Sequence, residues 1–299
     1  MKKDVKTELA KRSDYIITDH HADALELIEY DFMEKQYDEQ GNLIREITYN
    51  ESGDISEMYK YQYDNEGRIV EKQIFFDMDE VVETIANQYN KGNNPIKTIV
   101  SYADGGSDEI VYDYDDKENL ILKQVVNEDG EIEEEERSVY EDNKLIEYKL
   151  IEYGDIAMRE QRIYNEAGQL IKIITWDGHT GDTVTTQIKY DEDGKRKEFI
   201  QYGNKNQILS RTTIEEYHNN QPLLVTEETA TGKTITRYTY DDENNNTLQV
   251  ESLEDGTVIN EIKRTFLPEG LIAETEVEIN RLGNGINQHY IITYFYTYF

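Results

Sequence analysis

The sequence contains no cysteine, three prolines and a single tryptophan among its 299 residues. Without cysteine the chain has no disulfide framework, no thiolate metal site and no cysteine nucleophile. No stretch approaches the roughly 18 consecutive apolar residues of a membrane-spanning helix, so we expect no insertion into a membrane. Hydrophobic residues make up 37% of the chain and the mean hydropathy is −0.81, values that disfavour a globule with a deep core.

The N-terminal residues 1–24 show none of the periodicity found later in the chain. Basic residues are frequent there, but no apolar run follows them, so the pattern lacks the features of a signal peptide. We therefore expect a cytoplasmic protein if Met1 is the natural start, and an extracellular one if it is not. The segment from Asp4 to Lys11 is expected to form a short helix or to stay disordered.

Acidic residues outnumber basic ones by 64 to 31, which gives a formal net charge of −33. Such a field repels the nucleic acid backbone and anionic membranes, so neither is an expected partner. It favours basic proteins or cations. An equally acceptable interpretation is that the charge keeps an open sheet soluble and blocks pairing at its edges.

Tyrosine is abundant, at 24 residues, and much of it lies in a tandem repeat. The unit is an aromatic residue, Asp or Asn, two polar residues, Gly or Asn, one polar residue and then Leu or Ile. Clear copies are residues 37–43 (YDEQGNL), 63–69 (YDNEGRI) and, with one exchange, 164–170 (YNEAGQL). The aromatic anchors, 23 to 27 residues apart, are Tyr37, Tyr63, Tyr89, Tyr114, Tyr140, Tyr164, Tyr190, Tyr217, Tyr240 and Phe266.

The repeated motif has the composition of a tight turn. An Asp at its first position accepts backbone N–H groups, and a Gly three residues later supplies the left-handed conformation that closes a bulged hairpin. Where Gly is missing, Asn lies near its position, and Asn best tolerates positive φ after Gly. These positions are Asn119, Asn143, Asn220 and Asn244 to Asn246.

A second turn falls midway through most units, so we predict two strands in each unit. We expect residues 25–299 to form one all-β domain of tandem β-hairpin repeats, each about 25 residues long. The predicted architecture is an extended antiparallel meander or solenoid-like sheet. Residues 286–299, rich in Tyr, Phe and Ile, are interpreted as an aromatic strand that caps the last repeat. An aromatic dimerisation edge is the alternative, which we disfavour because exposed edges promote aggregation.

Through the Tyr-Asp-x-x-Gly-x-Leu copies, the chain from about residue 37 to 273 resembles the YD-repeat, or RHS-repeat, family. The resemblance implies β-sheet structure. Large members of that family form shells around toxin domains, and others are surface or secreted proteins linked to carbohydrate binding or intercellular competition. This chain is far shorter than such a shell and contains no proline-rich Asp-Pro-x-Gly-Leu segment, so the resemblance does not extend to toxin delivery.

Two features that vary between copies are the candidate partner-binding residues. The first is the acidic run formed by Glu131, Glu133, Glu134, Glu135 and Glu136, which predicts a docking edge for a cationic protein. Its alternative is a solvated strand. The second is Trp176, beside a predicted turn, because tryptophan is common in binding hot spots. A packing role is the more frequent explanation for a lone tryptophan.

Catalytic and metal-binding motifs are weak. His20 and His21 lie beside Asp19 and Asp23, but adjacent residues on a strand point to opposite faces. Acidic turns lack the spacing of a dedicated calcium loop. No nucleophile elbow, P-loop or zinc-protease motif occurs, and 64 acidic residues single out no catalytic pair. We therefore expect no enzymatic activity, no cofactor and no metal.

Three functional hypotheses follow. The first is a non-catalytic protein that neutralises a basic partner, such as an immunity protein against an antibacterial toxin. The second is an extracellular or surface structural module that binds carbohydrate through tyrosine-lined faces. The third, which we rank last, is a hydrolase.

Overall fold

A computed structural model describes residues 4–17, 25–76, 79–281 and 287–299. These residues form an all-β fold of 22 antiparallel strands without an α-helix. Accordingly, no helix among them is long and apolar enough to cross a membrane.

The strands run from 7 to 13 residues. In chain order they are β1 (Val5–Ile17), β2 (Leu25–Tyr37), β3 (Leu43–Tyr49), β4 (Ile55–Tyr63), β5 (Ile69–Phe75), β6 (Val81–Tyr89), β7 (Pro95–Tyr102), β8 (Ser107–Tyr114), β9 (Leu120–Val126), β10 (Ile132–Glu141), β11 (Lys144–Glu152), β12 (Asp155–Tyr164), β13 (Leu170–Asp177), β14 (Thr183–Tyr190), β15 (Arg196–Tyr202), β16 (Ile208–His218), β17 (Gln221–Thr229), β18 (Gly232–Tyr240), β19 (Asn246–Leu253), β20 (Val258–Phe266), β21 (Ile272–Ile279) and β22 (Gln288–Tyr298).

Each strand pairs with the next one in sequence, and the sheet then closes into a barrel because β22 pairs with β1. Thr7 lies opposite Thr297 in that last pairing, and their hydroxyl oxygens are 2.6 Å apart. The prediction of an all-β hairpin array is confirmed. The prediction of an open meander or solenoid was wrong, because a hairpin repeat fixes only neighbouring strands and does not show whether the two end strands meet.

The turns form as the repeat predicts. The Asp38 carboxylate accepts the backbone N–H groups of Gln40 and Asn42 at 3.0 and 2.8 Å, and Gly41 has φ of 85°. Asn143, Asn220 and Asn244 replace Gly at positive φ, as expected. In the turn 115–119 the prediction was displaced by one residue, since Glu118 rather than Asn119 has positive φ. A side chain without a turn propensity is held there by the hairpin around it.

Little of the sheet is deeply buried. The accessible surface is 18783 Å², whereas a compact monomer of this mass exposes about 13,000 Å². A ring of 22 strands at about 4.8 Å spacing has a circumference of about 105 Å, so most side chains have no opposing layer to pack against. One local core joins Ile47, Met58 and Phe75 across three strands.

A repeated hydrogen bond explains why the anchors are tyrosine. In eight places among the described residues, a tyrosine hydroxyl donates to a backbone carbonyl 18 to 24 residues earlier, near the start of the immediately preceding strand. The pairs are Tyr63–Leu43 (2.8 Å), Tyr89–Ile69 (2.7 Å), Tyr114–Pro95 (2.8 Å), Tyr164–Leu145 (3.0 Å), Tyr190–Leu170 (2.8 Å), Tyr217–Arg196, Tyr240–Pro222 (2.9 Å) and Tyr296–Ile272 (2.8 Å). Each bond ties one hairpin to the preceding one.

Both ends of the chain differ from expectation. The prediction of a helix or disorder from Asp4 to Lys11 was wrong, since Val5 to Lys11 belong to β1, which pairs with β2 on one side and with β22 on the other. The expected final strand exists as β22, although residue 286 lies outside the described residues. It pairs with β21 of the last repeat on one side and with β1 on the other, so neither of its edges is free for dimerisation.

Candidate functional site

The acidic run does not form one exposed edge. Glu135 is buried, with 6% of its surface exposed, and accepts hydrogen bonds from Arg137 and from the Gln124 amide at 2.5 Å. The Arg137 guanidinium, with help from Gln124, holds the pKa of Glu135 below its ordinary value. This carboxylate is therefore ionised and already paired within the sheet.

The neighbours of Glu135 are also engaged. Glu136 and Glu134 lie 2.6 and 3.7 Å from the Lys123 ammonium, and Glu133 accepts a hydrogen bond from Asn127 at 3.1 Å. Glu131 is exposed in the turn before β10. Alternation along the strand distributes the run between two faces, so the structure does not assemble these five residues into one docking patch.

Acidic residues outnumber basic ones in the loops as well. Because strands alternate in direction, the ten loops that follow the anchor strands β2, β4 and so on to β20 lie at one end of the barrel. We call these loops the anchor rim. They contain sixteen acidic and four basic residues. The described loop residues at the other end, the opposite rim, contain eleven acidic and two basic ones.

Trp176 lies near the end of β13, where it pairs with Arg159 on β12 and Thr183 on β14. It is half-buried and borders two open depressions of about 440 and 530 Å³ that share Ile156. The Trp176 ring is therefore partly packed against its neighbours and partly exposed to solvent. The acidic run contributes no residue to either depression, so the two predicted partner sites are separate.

The loop after Trp176 is built by close backbone contacts. The Gly178 N–H donates to the Ala157 carbonyl at 2.7 Å, and a Cβ at residue 178 would lie 1.9 Å from the Ile156 carbonyl oxygen. Asp177 accepts backbone N–H groups of Thr180 and His179, which keep its pKa below the ordinary value. Glycine and aspartate here serve the turn, as the sequence suggested.

Most of the predicted anchor residues make hydrogen bonds within the sheet. Seven of the ten predicted anchors donate the repeated bond to a carbonyl. Tyr37 donates instead to the Glu8 carboxylate at 3.1 Å, and burial, followed by Glu8, raises the pKa of this tyrosine. Phe266 has no hydroxyl group, and Tyr140 borders a shallow depression with Asp115 and Asn143. Tyr296, which sequence reasoning did not identify as an anchor, makes the repeated bond in β22.

One cluster of polar residues was missed by sequence reasoning. Glu276 and Glu278 on β21 and His289 on β22 place ligand atoms within 4.8 Å of one another. The His289 Nε2 is 2.9 Å from Glu276, which lowers the pKa of that carboxyl, and Lys263 lowers it further. The Glu-x-Glu alternation was visible in the sequence, but the register that brings His289 opposite Glu278 was not.

The other two histidines within the described ranges, His179 and His218, belong to no comparable group. His20 and His21, considered above for a metal, lie outside the described residues. His179 is 3.5 Å from Glu152 and largely exposed, and His218 contacts the Asn219 amide.

No family model and no curated protein sequence matches the chain. Among solved structures it is similar to TcdB2-TccC3-Cdc42, with 12% identity and a TM-score of 0.44 over 91% of this chain and 16% of the other. TcdB2-TccC3 without its hypervariable C-terminal region gives 11% identity and a TM-score of 0.44, covering 96% and 17%. This chain thus spans less than a fifth of those chains.

A porin-like protein from Bacteroides uniformis is also similar, with 11% identity and a TM-score of 0.34 over 98% of both chains. The identities and TM-scores are low for all three. These likenesses therefore do not assign the chain to a family.

Proposed function

We propose that this chain is a non-catalytic binding protein whose anchor rim takes up a basic protein partner. The observation that carries the proposal is the excess of sixteen acidic over four basic residues in the ten anchor-rim loops. Loops tolerate variation while the strands keep the scaffold, so charge placed there is free to serve recognition. A ring of one sign of charge steers an oppositely charged protein during encounter.

The turn chemistry keeps this charge in place. Backbone and side-chain hydrogen bonds hold the pKa of four anchor-rim aspartates below the ordinary value, so they stay ionised well into mildly acidic solution. They are Asp38, Asp64, Asp115 and Asp241. The second residues of the turns, such as Glu39 and Glu192, are exposed and point their charge to solvent.

A finer form of the proposal rests on the YD-repeat resemblance and its association with intercellular competition. In that form the chain is an immunity protein, and the basic partner is an antibacterial toxin. In both forms the strands, together with the Tyr and Gly residues of the repeat, serve as the scaffold, and recognition is left to the charged residues of the anchor-rim loops.

The test is calorimetric titration of the full chain with the purified product of each gene adjacent to its own. We expect one product to bind, at least about tenfold more weakly at high than at low salt, because Debye screening shortens the reach of the rim charge. A combined Glu39→Gln, Glu166→Gln, Glu192→Gln and Glu243→Gln variant removes four exposed anchor-rim charges and should weaken binding.

The matched control is Glu51→Gln, Glu128→Gln, Asp129→Asn and Glu254→Gln, which removes four exposed charges from the opposite rim. Equal weakening by both variants would reduce the effect to net charge alone and contradict a rim-specific site. Protection of a sensitive cell from the bound product would support the immunity form, and binding without protection would refute that form only.

Carbohydrate binding is the second candidate, favoured by the half-exposed Trp176 between two open depressions that Arg159, Gln161 and Asp155 also border. A partly exposed aromatic ring beside polar side chains suits a sugar, whose faces are apolar and whose edges are hydroxylated. Glycan binding that Trp176→Ala abolishes, together with no bound protein in the titrations, would favour this candidate over the first.

A further inference from the structure

A row of polar side chains crosses the strands next to the closure of the sheet. Glu261 on β20, Glu278 on β21 and His289 on β22 lie side by side through the strand register, and Glu276 lies two residues from Glu278 on the same face. On the far side, the Tyr15 ring of β1 stacks on the His289 imidazole with a centroid distance of 4.2 Å and an interplanar angle of 17°.

We propose that Glu276, Glu278 and His289 form a binding site for a divalent transition-metal ion, with zinc as the reference ion. One imidazole nitrogen and two carboxylate oxygens are a donor set that zinc accepts. These atoms lie within 4.8 Å of one another. Two ligands at about 2.1 Å from one ion are at most about 4.2 Å apart, so rotations of the side chains bring them into range.

The local charge favours a dication. Among the described residues, Glu261, Glu276 and Glu278 share one ion-paired ammonium group, that of Lys263, which lies 2.6, 3.6 and 3.9 Å from them respectively. Three carboxylates beside one ammonium group leave two uncompensated negative charges. Binding of a divalent ion neutralises them, and Lys263 keeps Glu261, its nearest partner.

The ligands lie on strands next to the closure of the sheet, so a bound ion would stabilise that part of the barrel. Glu276 and Glu278 belong to β21, His289 belongs to β22, and Tyr15 holds the imidazole against β1. The stacked ring limits the orientations of the imidazole and keeps Nε2 directed at the carboxylates. An ion here links the last hairpin and, through His289, fixes the strand that completes the barrel.

The test is titration of the untagged, metal-stripped full chain with zinc chloride, followed by calorimetry and thermal unfolding. We expect a saturable transition near one equivalent at this site and a higher Tm in the loaded protein, because a ligand that binds only the folded state stabilises it. His289→Gln and Glu278→Gln should each weaken binding at least about tenfold, since even the loss of an outer-shell partner has that effect on metal sites.

Two variants serve as controls. His179→Gln changes an exposed histidine that also faces a glutamate, and a His20→Gln, His21→Gln double variant removes the adjacent pair. Both should bind zinc like the parent. Retained affinity in His289→Gln, loss of affinity in either control, or an absence of zinc binding by the parent would overturn the proposal. Circular dichroism of each variant separates loss of the site from loss of the fold.

Discussion

The repeat array and the closure region, which we define as β1, β2 and β22, differ in the bond made by the first anchor tyrosine, although Tyr296 of β22 makes the same bond as the array. Within the array, Tyr89 donates to the Ile69 carbonyl, a backbone atom that every residue type supplies. In the closure region, Tyr37 donates to Glu8, a side chain from the non-repeat N-terminal segment. The array is thus tied by bonds that any repeat provides, whereas the closure depends on particular residues.

Burial differs between the two regions as well. Ala10 has no exposed surface between Met33 of β2 and Tyr294 of β22, and Glu8 is 5% exposed. In the array most residues remain half-exposed, and buried clusters are local. The comparison indicates that the repeats extend the sheet with little buried surface, whereas the junction where the two chain ends meet requires close packing.

The largest expected effect comes from breaking the closure with Ala10→Asp. A carboxylate at this fully buried position has no partner, and an uncompensated buried charge costs about 4 kcal/mol. We expect the free energy of unfolding in urea to fall by about that amount, with faster proteolysis of β1. Lys6→Asp, at an exposed position of the same strand, is the control. Equal losses in both variants would show that β1 is not a tightly packed part of the barrel.

An intermediate effect is expected from removing single tyrosine hydroxyls. Tyr89→Phe loses a neutral hydrogen bond worth about 1 kcal/mol, whereas Tyr37→Phe loses a bond to a carboxylate, worth about 2 kcal/mol. Urea unfolding measures both differences. Tyr153→Phe, at a ring that is 79% exposed, should change nothing. A larger loss for Tyr89 than for Tyr37 would reverse the proposed ranking of array and closure.

The smallest effect concerns acid stability of the array. The pKa values of Asp38, Asp64, Asp115 and Asp241 are lowered in the folded chain. Hydrogen bonds from the side chains of Arg68, Asn119 and Asn245 are the largest cause at Asp64, Asp115 and Asp241, respectively. At Asp38, burial acts to raise the pKa, and hydrogen bonds from the turn together outweigh it. A lowered folded pKa contributes stability that is present above the ordinary value, near 3.9, and is lost as pH falls through the folded value.

Replacing these four aspartates by asparagine should therefore flatten the fall in Tm below about pH 4. It should change Tm little at neutral pH, because asparagine already closes the same turn at Asn90 and Asn165. Changing the second turn residues Glu39, Asp116, Glu192 and Asp242 to amides is the matched control. If Tm falls at low pH in the aspartate variant as it does in the parent, the turn carboxylates do not govern the acid stability.

Much of the fold was predictable because its signals are local. The turn around Asp38 and Gly41 depends on hydrogen bonds spanning four residues, so residue identity reveals it. The position of Glu118 was not predictable, because an ordinary residue occupies a left-handed conformation only under the constraint of its hairpin. The part of β1 from Val5 to Lys11 was missed for a similar reason, since its partners in β2 and β22 are distant in sequence.

The candidate sites were less predictable than the fold. A run of glutamates is easily seen in sequence, but its pairing with Lys123, Gln124 and Arg137 depends on cross-strand register. The placement of His289 against Glu276 crosses the loop between β21 and β22, whose length does not fix the register. Charge and composition indicate what a surface prefers, and only neighbouring strands decide which charges remain available.

The sequence by itself determined the hairpin unit, its period and the turn positions, because all three depend on contacts within one unit. The tertiary structure alone decided that β1 meets β22, that Tyr37 finds Glu8, and that the acidic run is divided between two faces. An open and a closed sheet share the same neighbouring pairs. Closure results from twist accumulated over 22 strands and from packing between the chain ends.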